Sequence, residues 1–295
     1  MEQTQETVIY YEETEGLLIN RIRRSPGFTM PIKHLHDEYE LYYLKEGERY
    51  YFIGSQTFHV KSGSLVLIDR NQIHQTSQAG SGSHDRILIG LKEEALSPLL
   101  AVTKEFSLSK FFERCSGVLE LEEKDRKVVE QLLDQIAREL AVKQIGYRYM
   151  AFSALASLFI HIERLLSAPC SPALNAPLSS ASRHRKVDEV ASYITLHYSE
   201  PMSLDSLARR FYVSKCYLSR IFKEATGFTV VEYINMCRIR QARLMLMSSN
   251  ISITQVSEAL GYDNITYFER VFKQYTLTSP LKFRKQYENK LQPIS

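Results

Sequence analysis

From about residue 7 to residue 93 short apolar runs alternate with turn residues, as in "YYFIGSQTFHV", "GSLVLIDRNQIH" and "DRILIGL". Alternation at period two, rich in β-branched and aromatic residues, predicts strands, enough of them for a small β-barrel or sandwich. The period then lengthens. In "KDRKVVEQLLDQIARELAVK" the apolar positions Val129, Leu132, Leu133, Ile136 and Leu140 recur every three or four residues, the stripe of an amphipathic helix. "YRYMAFSALASLFIHIERLL" repeats the pattern with Leu155, Leu158, Phe159, Ile162 and Leu166. These segments predict a helical pair packed on the barrel, with one face available as a seam for a homodimer.

The stretch from Ser167 to Ser182, "SAPCSPALNAPLSSAS", is small, proline-rich and uncharged, which is linker composition. Beyond Arg185 helical periodicity resumes. The expected layout is a sensor domain over 1–167, a linker over 168–185 and a helical domain over 186–295, an α+β chain overall. Its 295 residues suffice for two cores.

An internal repeat divides the helical domain. "SLDSLARRFYVSKCYLSRIFKEATG" overlays "SITQVSEALGYDNITYFERVFKQYTL" at an offset of 49 in its first half and 50 in its second. The extra residue is expected in the turn near Gly261 to Asn264, where insertion is cheapest. Each copy reads as helix, turn, helix, with Ser203 and Ser214 as N-caps in the first. Leu218, Ile221 and Phe222 face inward in the first copy, and Phe268, Val271 and Phe272 in the second. That leaves Arg220 and Arg270 outward at matching positions. A short helix displaying arginine and small polar groups from an apolar base suits a DNA major groove. Between the copies "VVEYINMCRIRQARLMLM" contains no Gly or Pro. As one helix it spans roughly 27 Å, a rigid spacer that sets two reading helices nearly one DNA turn apart.

Charge agrees with this division. From Arg183 onward there are 17 Lys+Arg against 10 Asp+Glu, leaving 20 against 24 for the rest of the chain. The basic third is where a polyanion is expected. Four scattered cysteines, Cys115, Cys170, Cys216 and Cys237, form no C-x-x-C pair, which argues against a zinc ribbon or a disulfide framework. The N-terminal sequence lacks the charge and apolar pattern of a signal peptide, and a cytoplasmic protein with no membrane partner is expected.

On "LSRIFKEATG", "CRIRQARLML" and above all "ITQVSEALGYDNITYFERVFKQYTLTSPLKFRKQY", the region from about Lys186 to Tyr287 resembles the DNA-binding domain of AraC-type transcription regulators. Gly261, Tyr262, Tyr267, Phe268, Arg270, Phe272, Lys273, Pro280 and Arg284 fit the family signature. The departures are Leu277, where the family has glycine, Val230 for proline and Ser257 for alanine. The resemblance implies double-stranded DNA as partner. Cys216, Ser219, Arg220, Thr266, Glu269 and Arg270 are then expected to meet base edges, and Lys215, Lys223, Lys273 and Arg284 to meet phosphates. It further implies RNA polymerase as a second partner, activation as the common outcome, and catabolic or transport operons, often for sugars, as targets.

In "HLHDEYELYYLKEG", His34, His36, Glu40 and Tyr42 share parity and therefore one face of a regular strand. His74 follows at the end of "GSLVLIDRNQIH". The spacing resembles a cupin barrel, in which three histidines and one glutamate hold a metal. Asp69, Asn71 and Gln78 depart from the cupin pattern. Three occupants of this site are distinguished by the resemblance: an organic effector on His34, His36, Glu40, Tyr42 and His74; a divalent metal on His34, His36, Glu40 and His74 in a sensing role; and a metal with catalytic turnover, an enzyme tethered to a DNA reader. Beside a linker and a DNA reader the first is preferred, with no cofactor required and no catalytic residue assigned. Tyr42, Tyr50, Tyr51, Phe52 and Phe58 are candidate lining residues. An architectural DNA binder with no effector is a further alternative.

Overall fold

The computed structural model describes residues 6–28, 37–100, 106–167 and 182–291, with 97–100, 182–183 and 288–291 described by backbone alone. The strands are β1 (Glu6–Thr14), β2 (Leu17–Arg24), β3 (Tyr39–Glu46), β4 (Glu48–Ile53), β5 (Gln56–Lys61), β6 (Ser64–Ile68), β7 (His74–Gln78), β8 (His84–Leu91) and β9 (Gly117–Glu120). They form a six-stranded sheet, β1-β2-β8-β3-β6-β9, and a three-stranded sheet, β5-β4-β7. The described pairs are antiparallel.

Strand parity sorts the side chains into two layers. Ile19, Leu41, Tyr43, Leu67, Ile87, Ile89 and Leu119 share one face of the large sheet and pack against helices. Tyr42, Leu44, Val66, Ile68 and Val118 lie on the other, against Tyr51, Ile53, Phe58 and Val60 of the small sheet. Because successive side chains on a strand point to opposite faces, each residue's position follows from its register. The two sheets thus enclose a barrel-like interior.

Helices α1 (Glu93–Leu100), α2 (Leu108–Cys115), α3 (Glu123–Val142) and α4 (Tyr147–Ser167) cover the first face. The expected pair α3 and α4 buries Val129, Leu133, Ile136 and Leu140 against Leu155, Leu158, Phe159 and Ile162. Among the described residues α4 is the helix long and apolar enough to cross a membrane, and here its apolar stripe is spent in this core. Of the expected linker, residues 168–181 lie outside the described residues; α5 (Ser182–His197) begins ahead of the 186 boundary.

The C-terminal helices are α6 (Leu204–Arg210), α7 (Lys215–Thr226), α8 (Val230–Ser248), α9 (Ile253–Ala259), α10 (Ile265–Thr276) and α11 (Pro280–Leu291). The α6–α7 and α9–α10 pairs repeat one design. Ser203 and Ser252 cap the first helix of each pair in a reciprocal capping box with Ser206 and Gln255. The turn that follows contains a left-handed residue, Tyr212 in one copy and Gly261 in the other. Gly261 is required there, since a Cβ would meet the Ser199 carbonyl at 2.1 Å. The extra residue lies between Gly261 and the next N-cap, Asn264, as the offset change predicts. Between the pairs α8 is unbroken over 19 residues. Arg238 on α8 donates to the carbonyls of Tyr198 (2.7 Å) and Glu200 (3.1 Å) and sits 4.9 Å from the Tyr262 ring, tying α5 to the second turn.

Candidate functional site

Helices α7 and α10 present the residues singled out for DNA. Each begins on a side-chain cap. The Ser214 hydroxyl accepts from the Tyr217 N–H (3.2 Å), and Asn264 Oδ1 accepts from the N–H groups of Thr266 (2.8 Å) and Tyr267 (3.1 Å). Each helix buries one side, Leu218, Ile221 and Phe222 or Phe268, Val271 and Phe272. Lys215, Cys216, Arg220, Lys223, Thr266, Glu269, Arg270 and Lys273 are exposed and Ser219 is half-buried. Lys215, Cys216, Ser219, Arg220 and Lys223 line one surface depression of about 590 Å³ with Leu204.

Arg220 lies 6.0 Å from the Tyr217 ring and Arg270 lies 5.1 Å from the Tyr267 ring, the same pairing in both copies. Among the described residues neither arginine is in an ion pair. Each guanidinium therefore offers its fork of donors at the surface. Lys215 is paired with Asp205 at 2.9 Å. Arg284 differs from the expectation that it meets phosphate. It is half-buried and donates to the Ile251 carbonyl at 2.6 Å, so it holds the approach to α9.

In the sensor half, Glu40, Tyr42 and His74 face the space between the sheets. His34 and His36 lie outside the described residues. Glu40 accepts from the Tyr51 hydroxyl at 3.1 Å, and its other oxygen stands 3.6 Å from His74 Nε2. His74 Nδ1 is 2.8 Å from the Gln72 carbonyl. Burial alone lowers the His74 pKa, but the Glu40 carboxylate and the Gln72 carbonyl outweigh it and hold the imidazole above its ordinary value. Tyr51 and Phe58 also face this interior. Tyr50 and Phe52, expected beside them, do not, because alternation turns them to the opposite face of β4. Tyr50 packs on His59 and His184, and Phe52 enters the core of the helical domain.

Sequence reasoning missed the cationic part of this interior. Arg49 on β4 is 1% exposed and Arg86 on β8 is 5% exposed. Arg49 donates to Thr76 Oγ1 (3.1 Å) and to the Phe28 carbonyl (2.8 Å), and Arg86 donates to Asn20 Oδ1. Burial pushes both guanidinium pKa values down. His84 is buried too, and burial together with Arg49, Arg24 and Arg86 drives its pKa to about 3, so it is neutral. The signal was available. Arg49 shares the parity of Tyr51, and Arg86 that of Leu88 in "DRILIGL".

Two family matches cover well over half of the chain. Residues 19–159 match the family described as AraC-like ligand binding domain, and residues 207–286 match the helix-turn-helix domain family. The chain belongs to the AraC-type transcription regulators. Among its curated relatives, the Msm operon regulatory protein of Streptococcus mutans is 24% identical over 86% of this chain and 87% of that one. The HTH-type transcriptional activator RhaS of Pectobacterium carotovorum is 26% identical over 89% of this chain and 90% of that one. Among solved structures, the C-terminal domain of AraT, a response regulator from Geobacillus stearothermophilus, is 30% identical over 36% of this chain and 88% of that one, with a TM-score of 0.35. This AraC-type chain is a ligand-responsive DNA-binding regulator, with double-stranded DNA and a small-molecule effector as its partners.

The two halves of this AraC-type regulator touch through the small sheet. Phe52 and Ile73 belong to the core of the helical domain, and Phe52 meets the Tyr233 ring edge-on at 5.8 Å. The Tyr233 hydroxyl donates to the Gly54 carbonyl at 2.5 Å. Gln75 on β7 lies against Gly227, the residue that ends α7 in a left-handed conformation. Arg243 of α8 stands 3.5 Å from Asp37. A cavity of about 350 Å³ opens between the halves, lined by Gly54, Ile73, Tyr233 and Cys237 among others.

Proposed function

We propose that this protein is a cytoplasmic, non-enzymatic transcription activator of a catabolic or transport operon, and that its effector binds between the two sheets. In this reading Glu40, Tyr42 and His74, with His34 and His36 from the adjoining segment, form the effector site. The observation that carries it is strand β4. Tyr51 points from β4 into the interior beside Glu40 and His74, while the neighbouring Phe52 points out into the core of the DNA-binding domain. A ligand that shifts β4 by a fraction of an ångström disturbs the packing of Tyr233 on α8, the helix that spaces α7 from α10. Because packed interfaces respond in discrete steps, a small shift suffices to bias the docking equilibrium.

Base contacts fall to Cys216, Ser219, Arg220, Thr266, Glu269 and Arg270, and phosphate contacts to Lys215, Lys223 and Lys273. RNA polymerase is the second protein partner and a homodimer through α3 or α4 the working assembly. RhaS, named a transcriptional activator, supports the sign of regulation. The interior's tyrosines suit a sugar-like body, since each offers a ring and a hydroxyl. The test is a reporter driven by the gene's own upstream region across carbon sources. Activation that needs the chain and is lost in His74→Ala supports the reading; expression indifferent to the chain rejects it.

A second reading, a metal-sensing regulator, is favoured by one arrangement. His74 has Nδ1 fixed on a backbone carbonyl and Nε2 turned toward a carboxylate, as a ligating imidazole does. Among the described residues no three ligating side chains come together, so this reading rests on His34 and His36 completing the set. Metal content of the purified chain, with and without His36→Ala, tests it.

A further inference from the structure

Resting on the effector site proposed above, we infer that the effector is an anion, a small carboxylate or phosphate ester whose charged group is held by Arg49 and Arg86 and completed by the Tyr42 hydroxyl and His84 Nε2. Buried charge is expensive unless a counter-charge sits with it. Elsewhere in this sheet that requirement is met. Asp85, the neighbour of Arg86 on the opposite face of β8, takes Arg21 at 2.9 Å and Arg23 at 3.0 Å. On the inner face Arg49 and Arg86 have no carboxylate within ion-pair distance among the described residues. The facing carboxylate, Glu40, is engaged by Tyr51 and His74. The nearby Arg24 adds a third positive charge, although its own partner is Glu6 at 2.7 Å.

Polar atoms around the two guanidiniums point to a ligand independently of charge. The Tyr42 hydroxyl and His84 Nε2 belong to residues each 2% exposed, and neither atom has a hydrogen-bond partner among the described residues. Both residues feel Arg49, Arg86 and Arg24 together, which places them in the same electrostatic neighbourhood. Burial, partly offset by those arginines, pushes the Tyr42 pKa up to about 12, so its hydroxyl stays a donor. A guanidinium presents five donors in a planar fork. Arg49 uses two groups on neutral oxygens and Arg86 one, leaving donors for carboxylate or phosphate oxygens, which match the fork bidentately. Leu44, Val60 and Phe58 pack in the apolar core on the same inner faces.

The test uses the full chain, with inorganic phosphate and propionate as minimal probes of the two sources and chloride holding ionic strength constant. Thermal unfolding should show saturable stabilisation by at least one probe. Phosphate alone points to a phosphate ester and propionate alone to a carboxylate. Arg49→Gln and Arg86→Gln should each weaken the constant by roughly ten- to a hundred-fold, and Tyr42→Phe should weaken it several-fold. Arg23→Gln, on the outer face, should leave it unchanged. Without probe, the two inner-face variants should unfold no earlier than the parent, because each removes an uncompensated charge. No saturable effect overturns the proposal, as does an effect undiminished in Arg49→Gln and Arg86→Gln, which places the anion on the DNA-reading helices. Early unfolding of both variants, with probe binding intact in Tyr42→Phe, shows the arginines to be structural and also overturns it. A gel shift on upstream DNA in parallel separates the two levels. Lost DNA binding by the parent rejects the regulator reading, whereas retained DNA binding without anion binding rejects only this inference.

Discussion

Thr57, on the small sheet of the sensor, gives both its backbone N–H and its hydroxyl to Asp188 on α5, at 3.3 and 3.0 Å. The pair bridges the two functional halves of the molecule. Burial raises the Asp188 pKa to about 6 although both Thr57 hydrogen bonds pull it down.

That shift predicts a pH dependence for docking. Freed from the sensor, Asp188 returns toward the ordinary carboxylate value of 3.8, so the docked form binds the proton more tightly. Docking is then strongest below about 4 and weakens as pH rises through about 6. Protease sensitivity of the segment joining the halves, followed from pH 5 to 8, should increase with pH. Asp188→Asn should flatten the profile.

Arg220→Ala and Arg270→Ala should each cost about 1–3 kcal/mol at the specific site. In sequence α8 separates the two helices, one in each copy of the repeat, so each loss should fall on one half-site. Footprints in which either variant loses both half-sites equally contradict a two-headed reader.

Two family departures carry stability consequences. Leu277 ends α10 with φ 62° and is 87% exposed, whereas Gly227 ends α7 at the equivalent place. Leu277→Gly should therefore stabilise by about 1 kcal/mol. Ser257 is buried and its hydroxyl has no partner among the described residues. Ser257→Ala should gain about 1 kcal/mol by removing an unsatisfied group. Urea unfolding of both variants checks these signs.

The helical domain was legible in the sequence because its signals are local. Caps at Ser203 and Ser214, the period of Leu218, Ile221 and Phe222, and the register change before Asn264 are each written within a few residues. The sensor was legible only by face. Parity correctly assigns Glu40 and Tyr42 to one side, yet it also predicts that Arg49 and Arg86 are inside, which composition discourages because arginine is rarely buried. Contacts between Phe52 and Tyr233, or Thr57 and Asp188, join residues far apart along the chain, and no local pattern encodes them. Helices α1 and α2 are short elements whose existence depends on the sheet they cover, and β9 is a four-residue strand that exists by pairing with β6.

The interface itself gives a fourth prediction. Tyr233→Phe keeps the ring against Phe52 and Phe222 but removes the hydrogen bond to Gly54, a loss of about 1 kcal/mol. DNA binding should persist while the response to effector changes.

The most direct measurement is expression from the gene's own upstream region in cells carrying the parent chain, Tyr42→Phe with His74→Ala, or Tyr233→Phe, across a panel of carbon sources. The parent should respond to at least one source. The doubly substituted sensor should stay uninduced while its DNA affinity by gel shift matches the parent's, and Tyr233→Phe should shift the induced-to-uninduced ratio at unchanged affinity. Full induction of the doubly substituted chain would contradict an effector site between the sheets and a signal that leaves it through β4.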